Sequence, residues 1–184
     1  MCPMVRRPLG MEIALLGFLL DDSQHGYQLH QMVSDPDGLG LIWHLKQSQL
    51  YALLAKLEKD GFTNSTLQSQ DPHPPRRVFE LTRMGREAFM DWVSSPVNTP
   101  RFIRQEFLAK LYFVPKENAD MARQLIDKQH SVCQRWLIEF NAQMTASTPQ
   151  SYRWKMYQYR LGQIEALRQW LESYRNDLDG SSGG

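Results

Sequence analysis

A leucine stripe on one short helix, followed at once by two β-prone segments, constrains this chain more than any other feature. Leu50, Leu53, Leu54 and Leu57 recur at spacings that predict a helix with one buried face. Ser48 is its expected N-cap and Gly61 its expected stop, while Lys56 and Lys59 lie in the last turns, where cations suit the helix dipole. Phe62–Gln68 then reads as a strand, Gln70–Pro75 as a proline-rich loop, and Arg77–Leu81 as a second strand. Period-two alternation puts Val78 and Glu80 on one side of that strand, Phe79 and Leu81 on the other.

Two helices are expected ahead of the stripe. Leu9, Ile13, Leu16 and Leu20 mark one over residues 9–21, and Ser23 is the expected cap of another through Ser34. Asp35-Pro36-Asp37-Gly38 reads as a turn. After the hairpin, Thr82 caps a fourth helix to about Ser94. The order helix, helix, helix, strand, strand, helix is the layout of a winged helix-turn-helix. The expected architecture is therefore mostly α with a small β-hairpin: a winged domain over 1–94, a Ser/Pro/Asn linker over 95–100, a helical domain over 101–179, and a Gly/Ser tail over 180–184.

Helical patterning continues over 101–114, 117–145 and 150–178. In the last stretch Tyr157, Leu161, Ile164, Leu167, Leu171, Tyr174 and Leu178 step by threes and fours. Three such helices carry more apolar face than a small bundle can bury alone, which points to a homodimer.

Charge gives no bulk argument for a polyanionic partner. The net charge is +1, and residues 1–94 hold nine Lys/Arg against eleven Asp/Glu. Any nucleic-acid contact must therefore use a local basic face. The two cysteines, Cys2 and Cys133, suggest neither a disulfide framework nor a metal site, and Cys133 reads as a reduced core thiol. No cofactor is expected. The apolar stretch near the N-terminus is bounded by charges, lacks a small-residue cleavage site and is too short to span a bilayer, so the cytoplasm is the expected compartment. His25, His30, His44 and His73 accompany no cysteine nucleophile, HExxH spacing or Gly-rich phosphate loop, which argues against an enzyme.

Four segments then carry a resemblance. Ala14–Leu20 with His25-Gly26-Tyr27-Gln28-Leu29 resembles the opening of the PadR family of transcriptional regulators; Ser48–Gly61 resembles its recognition helix. Pro74–Ala88 is similar to its wing and fourth helix, and Glu106–Phe113 to the first helix beyond the wing in its longer-tailed branch. The resemblance implies a homodimer held by C-terminal helices, acting mostly as a repressor on a double-stranded DNA operator and released by a small molecule. Family members often carry basic residues where this chain has Ala52 and Ala55.

A recognition helix needs polar side chains opposite its buried stripe. That face offers Gln47, Ser48, Gln49, Tyr51 and Lys56, with Gln47 and Gln49 the candidates for adenine readout and Ser48 and Tyr51 for phosphate. Arg76 and Arg77, beside His73, suit phosphate or minor-groove contact. Alternation along the strand predicts one of these arginines outward and the other partly structural. Lys46 and Tyr27 are further phosphate candidates, Tyr27 being equally a core candidate, and Arg6 and Arg7 could form a basic arm. The same polar face also fits a solvated surface, so a winged-helix adaptor for protein–protein contact without DNA binding remains the alternative. Among the C-terminal aromatics, Trp136, Tyr152, Trp154 and Tyr157, with Trp92, are candidates for a pocket taking a small aromatic or apolar effector; the competing reading makes them dimer core.

Overall fold

The computed structural model describes residues 10–70, 73–114 and 118–180, and the side chains of all of these except 69–70 and 73–75. The elements are α1 (Ala14–Gly17, entered through a 3-10 turn at Met11–Ile13), β1 (Gln24–His25), α2 (Gly26–Val33), α3 (Gln47–Lys59), β2 (Thr63–Gln70), β3 (His73–Leu81), α4 (Arg83–Ser94), α5 (Leu108–Phe113), α6 (Ala119–Thr145) and α7 (Tyr152–Gly180). The chain divides into two units, one of residues 1–93 with 104–113 and one of 94–103 with 114–184.

In the first unit α3 forms as its leucines dictate. Leu50, Leu54 and Leu57 are fully buried and Leu53 half-buried, and Gly61 takes φ +82°, the left-handed value that ends a helix without a Cβ penalty. The helix starts one residue before the expected Ser48 cap. Lys46 occupies the cap position, and the Gln49 amide oxygen accepts the Lys46 backbone N–H at 3.0 Å. α2 repeats the device: His25, rather than Ser23, is its cap residue, and its N–H donates to Gln28 Oε1 at 2.9 Å. A Gln three residues past the cap satisfies an otherwise orphaned donor in both.

The first helix is shorter than expected and has no single buried face: Ile13, Ala14, Leu15 and Leu16 are all buried. The cause is a cover supplied from far along the chain. Phe113 packs edge-on against Phe18 at 5.1 Å and Phe89 at 5.3 Å, and it lies so close to Gly17 that a Cβ there would stand 2.4 Å from its ring. Residues 104–113, expected with the C-terminal helices, thus pack in the first unit, beginning within a π-helical turn at Ile103–Phe107. Lys110 belongs to this packing. It is 1% exposed, paired with Glu106 at 3.0 Å and 5.2 Å from the centre of the Trp92 ring. Burial pulls its pKa down, and the Glu106 hydrogen bond and charge only partly offset that.

The sheet is three-stranded and antiparallel, ordered β1-β3-β2; β1 adds a strand that the sequence reading did not separate from α2. β2 and β3 pair from Thr63↔Leu81 to Gln70↔His73, with an irregularity between Gln68 and Gln70. The strands therefore run into the segment expected as loop. Pro74 and Pro75 are tolerated because β1 reaches only Val78 and Phe79, leaving that stretch of β3 at the sheet edge. At the wing's root Thr82 joins three elements: its hydroxyl lies 2.8 Å from the Gly61 carbonyl oxygen and 3.0 Å from that of Phe62, and accepts the Gly85 N–H at 3.0 Å, capping α4.

In the second unit α6 and α7 lie antiparallel, pinned by Arg123–Asp179, Asp127–Arg175 and His130–Glu172 contacts. Leu125, Ile126, Val132, Cys133, Trp136 and Phe140 are buried on α6, but only Ile164 and Leu171 on α7. Most of the expected α7 stripe is half-exposed, and Tyr152, Tyr159 and Trp170 stand out to solvent. Residues 95–100, expected as linker, are held in this unit: the buried Gln129 amide accepts the Val97 N–H at 2.7 Å and donates to its carbonyl at 3.1 Å. Burial pushes the Cys133 thiol up to about 11, despite the Gln129 hydrogen bond and the Arg168 charge, so it stays protonated and inert. Among the described residues no helix is long and apolar enough to cross a membrane.

A Cβ at Gly85 would lie 2.1 Å from the Phe62 carbonyl oxygen, a backbone atom that cannot move without shifting the end of α3. Gly85→Ala is expected to cost about 3 kcal/mol, at the upper end for overpacking, and Thr82→Ala about 1 kcal/mol for the lost cap. Denaturant unfolding of both variants against the parent checks the size and the order.

Candidate nucleic-acid interface

Burial of the leucine face decides what α3 shows to solvent. Gln47, Ser48, Gln49, Tyr51, Ala52, Ala55 and Lys56 are all exposed. Tyr51 leans onto the start of α2, where a Cβ at Gly26 would meet its ring at 2.6 Å and its hydroxyl at 2.7 Å. Glycine is therefore required at this position by close approach. The contact opens a recess of about 720 Å³ lined by His25, Gly26, Tyr27, Gln28, Gln31, Tyr51, Arg76 and Arg77. The head of α2, Tyr51 of α3 and the returning strand of the wing thus share one concave surface. On its far side, Lys46 and Gln49 border a second groove with Ser34, Trp43 and His44.

The individual side chains differ in how free they are. Gln47, Lys46 and Ser48 are exposed, with no side-chain hydrogen bond to another described residue. Gln49 has its amide oxygen committed to the Lys46 N–H, so bidentate pairing with adenine would require it to leave the cap. Tyr27 is 58% exposed, which settles its choice between core and surface, and its hydroxyl accepts from Gln31 Nε2 at 2.9 Å. Arg76 is exposed and unpaired among the described residues. Arg77 is held by Glu58 at 2.7 Å and by the Ser65 hydroxyl at 2.7 Å. The strand alternation is realised as one free arginine and one structural arginine. Lys56 is likewise ion-paired, with Glu12. The His73 side chain, and Arg6 and Arg7, lie outside the described residues.

Sequence reasoning missed Gln28 and Gln31 as members of this surface. The signal was available: Leu29 and Val33 are the buried side of α2, and on a 3.6-residue period positions 27, 28 and 31 must then face away.

The candidate effector residues occupy unlike environments. Trp92 is buried in the first unit, 5.8 Å from Phe89 and beneath Lys110. In the second unit Trp136 is buried, Tyr152 is 80% exposed, and Trp154 and Tyr157 are half-buried. Tyr157 sits 5.8 Å from Phe140, with the Arg153 and Arg160 guanidinium groups 5.8 and 5.9 Å from its ring centre.

The Lys56–Glu12 pair has a pH signature. Burial favours the neutral Glu12, but the hydrogen bond and charge of Lys56, with backbone hydrogen bonds at Glu12 and Gly10, outweigh it and hold the carboxyl below its ordinary range. A depressed folded-state value contributes stability above the ordinary carboxylate pKa and loses it as pH falls through the folded value. Glu12→Gln is expected to cost roughly 0.5–1 kcal/mol at neutral pH, the scale of a half-exposed pair, and nothing in acid. Thermal unfolding of both proteins across pH 2–7 checks it; a deficit that persists at low pH would assign the loss to shape rather than charge.

Residues 15–91 match the profile of the Transcriptional regulator PadR-like family. The negative transcriptional regulator PadR of Bacillus subtilis is 25% identical over 179 residues, covering 92% of this chain and 97% of that protein. Two solved structures of Bacillus subtilis PadR are similar to this chain. The one in complex with operator DNA has a TM-score of 0.47 at 23% identity, covering 94% of this chain and 99% of that one. The one in complex with p-coumaric acid has a TM-score of 0.40 at 23% identity, covering 92% and 95%. Within the first unit, residues 15–91 form a PadR-like family domain.

Proposed function

We propose that this chain is a sequence-specific, double-stranded DNA-binding transcriptional regulator of the cytoplasm. It acts as a homodimeric repressor and is released by a small aromatic or apolar effector. The observation that carries the reading is the recess where Tyr51 of α3 meets the head of α2 and the wing strand's Arg76 and Arg77, together with the exposed polar first turn of α3, within a PadR-like domain. In that reading Gln47, at the first position of α3, reads base edges in the major groove. Lys46, Ser48, Tyr51 and Tyr27 reach phosphates beside the first turn, whose backbone N–H groups also favour an anion. Arg76 contacts phosphate from the wing.

The exposed rings of α7 support a second copy as the partner of that helix, since Tyr152, Tyr159 and Trp170 bring apolar area to solvent that two copies could cover. The half-buried Trp154 and Tyr157 are the ring environment best suited to an aromatic effector in this reading. A protein–protein adaptor is favoured by one observation, the pairing of Lys56 and Arg77 with acids of the same chain, which leaves the face less basic than its sequence suggests.

A gel shift on DNA from upstream of the chain's own gene separates the two. The regulator forms a specific complex that weakens steeply as salt rises; no complex at any salt supports the adaptor. Gln47→Ala should narrow the preference for the operator by about 1–3 kcal/mol at particular base pairs. Arg76→Ala should weaken binding to every sequence and flatten the salt dependence. Equal, sequence-blind losses from both would remove the readout role from Gln47.

A further inference from the structure

We infer that Glu58 is a specificity-determining positioning residue: with Ser65 it holds Arg77 on the protein, so that each wing offers DNA one phosphate-seeking arginine rather than two and stands fixed against the recognition helix. The inference rests on the DNA-binding reading above and names how that surface is tuned. Three side chains from three elements close a ring. Glu58, in the last turns of α3, accepts the Ser65 hydroxyl of β2 at 2.6 Å on one carboxylate oxygen. Its other oxygen accepts Arg77 Nη2 of β3 at 2.7 Å. Arg77 Nε–H closes the ring onto the Ser65 oxygen at 2.7 Å. Both carboxylate oxygens and both functions of the hydroxyl are used, and the guanidinium lies 5.4 Å from the centre of the buried Phe79 ring.

Two consequences follow from elementary electrostatics and geometry. A guanidinium whose charge is already balanced by a carboxylate brings little net positive charge to a phosphate, so it adds little to the counterions released on binding. Its chain neighbour Arg76, unpaired among the described residues, does add to them. Phosphate contacts carry no sequence information, so withholding one cation trims the attraction common to all DNA. Meanwhile the ring ties the end of α3 to both wing strands, and base readout by α3 requires helix and wing to meet the duplex in one register.

The test measures binding of the full chain to an upstream-region duplex and to a random-sequence duplex over a salt series, with thermal unfolding of each variant as the check on folding. Glu58→Gln keeps the shape and removes the charge. It should tighten random-duplex binding roughly five- to tenfold at about 0.1 M salt and steepen the log–log salt slope by about 0.9 per protomer, while lowering the ratio of specific to random affinity. Arg76→Gln should flatten the slope by the same amount. Glu58→Gln with Arg77→Gln, which removes both charges of the pair, should restore the parental slope. Ser65→Ala, which loosens the ring without altering its charges, should lower the affinity ratio at constant slope. A slope unmoved in Glu58→Gln, or one not restored in the double variant, would overturn the inference while leaving the regulator reading intact. Absence of any complex with the parent protein at low salt would overturn both.

Discussion

The burial of Leu50, Leu54 and Leu57 is the interaction on which the rest of the winged unit depends. Three fully enclosed leucines fix the rotation of α3 about its axis, because turning the helix would expose them at about 1.5–3 kcal/mol each. Once that rotation is set, the outward side chains follow from helical geometry, and Gln47, Ser48 and Tyr51 need no further instruction to face solvent. The end of the same helix sets the wing. Gly61 turns the chain, the Phe62 carbonyl receives the Thr82 N–H at 3.1 Å, and β2 and β3 leave from this junction. Helix face and wing are therefore one rigid statement, made by apolar burial and finished by a few backbone hydrogen bonds.

On this scaffold the electrostatics are restrained. The winged segment carries more acidic than basic residues, and Lys56 of α3 and Arg77 of β3 are engaged by acids of the same unit. What remains is a small set of exposed polar groups: Lys46, Gln47 and Ser48 at the start of α3, and Tyr51 with Arg76 at the recess. Such a surface suits a protein whose grip must be reversible, since a strongly basic face would hold any duplex through phosphates alone. Tyr51 packed onto Gly26 joins the head of α2 to this surface by steric fit rather than by charge.

The second unit follows a different logic. Its internal order comes from α6 packed on α7, with ion pairs along the seam and a buried glutamine clamping the segment that leads in from α4. α6 is satisfied by this packing, whereas α7 buries two residues and shows several rings to solvent. That imbalance leaves apolar area of α7 in solvent, and the proposed homodimer rests on it.

The order of the helices and wing strands, the leucine face of α3, the left-handed Gly61, the Thr82 cap and the polar outer face of α3 were legible in the sequence because each is a local consequence of spacing or of one residue's conformational preference. Both cap positions were misplaced by two residues, since Gln28 and Gln49 act from inside their helices with His25 and Lys46, rather than Ser or Thr, at the cap. Nothing local could reveal that Phe113 would cover Gly17, that residues 104–113 would join the first unit around a buried lysine, or that Glu58 and Glu12 would take up Arg77 and Lys56. Those outcomes pair residues nineteen to about a hundred positions apart. Periodicity tells a side chain which way to face, but only the folded chain decides what it meets there.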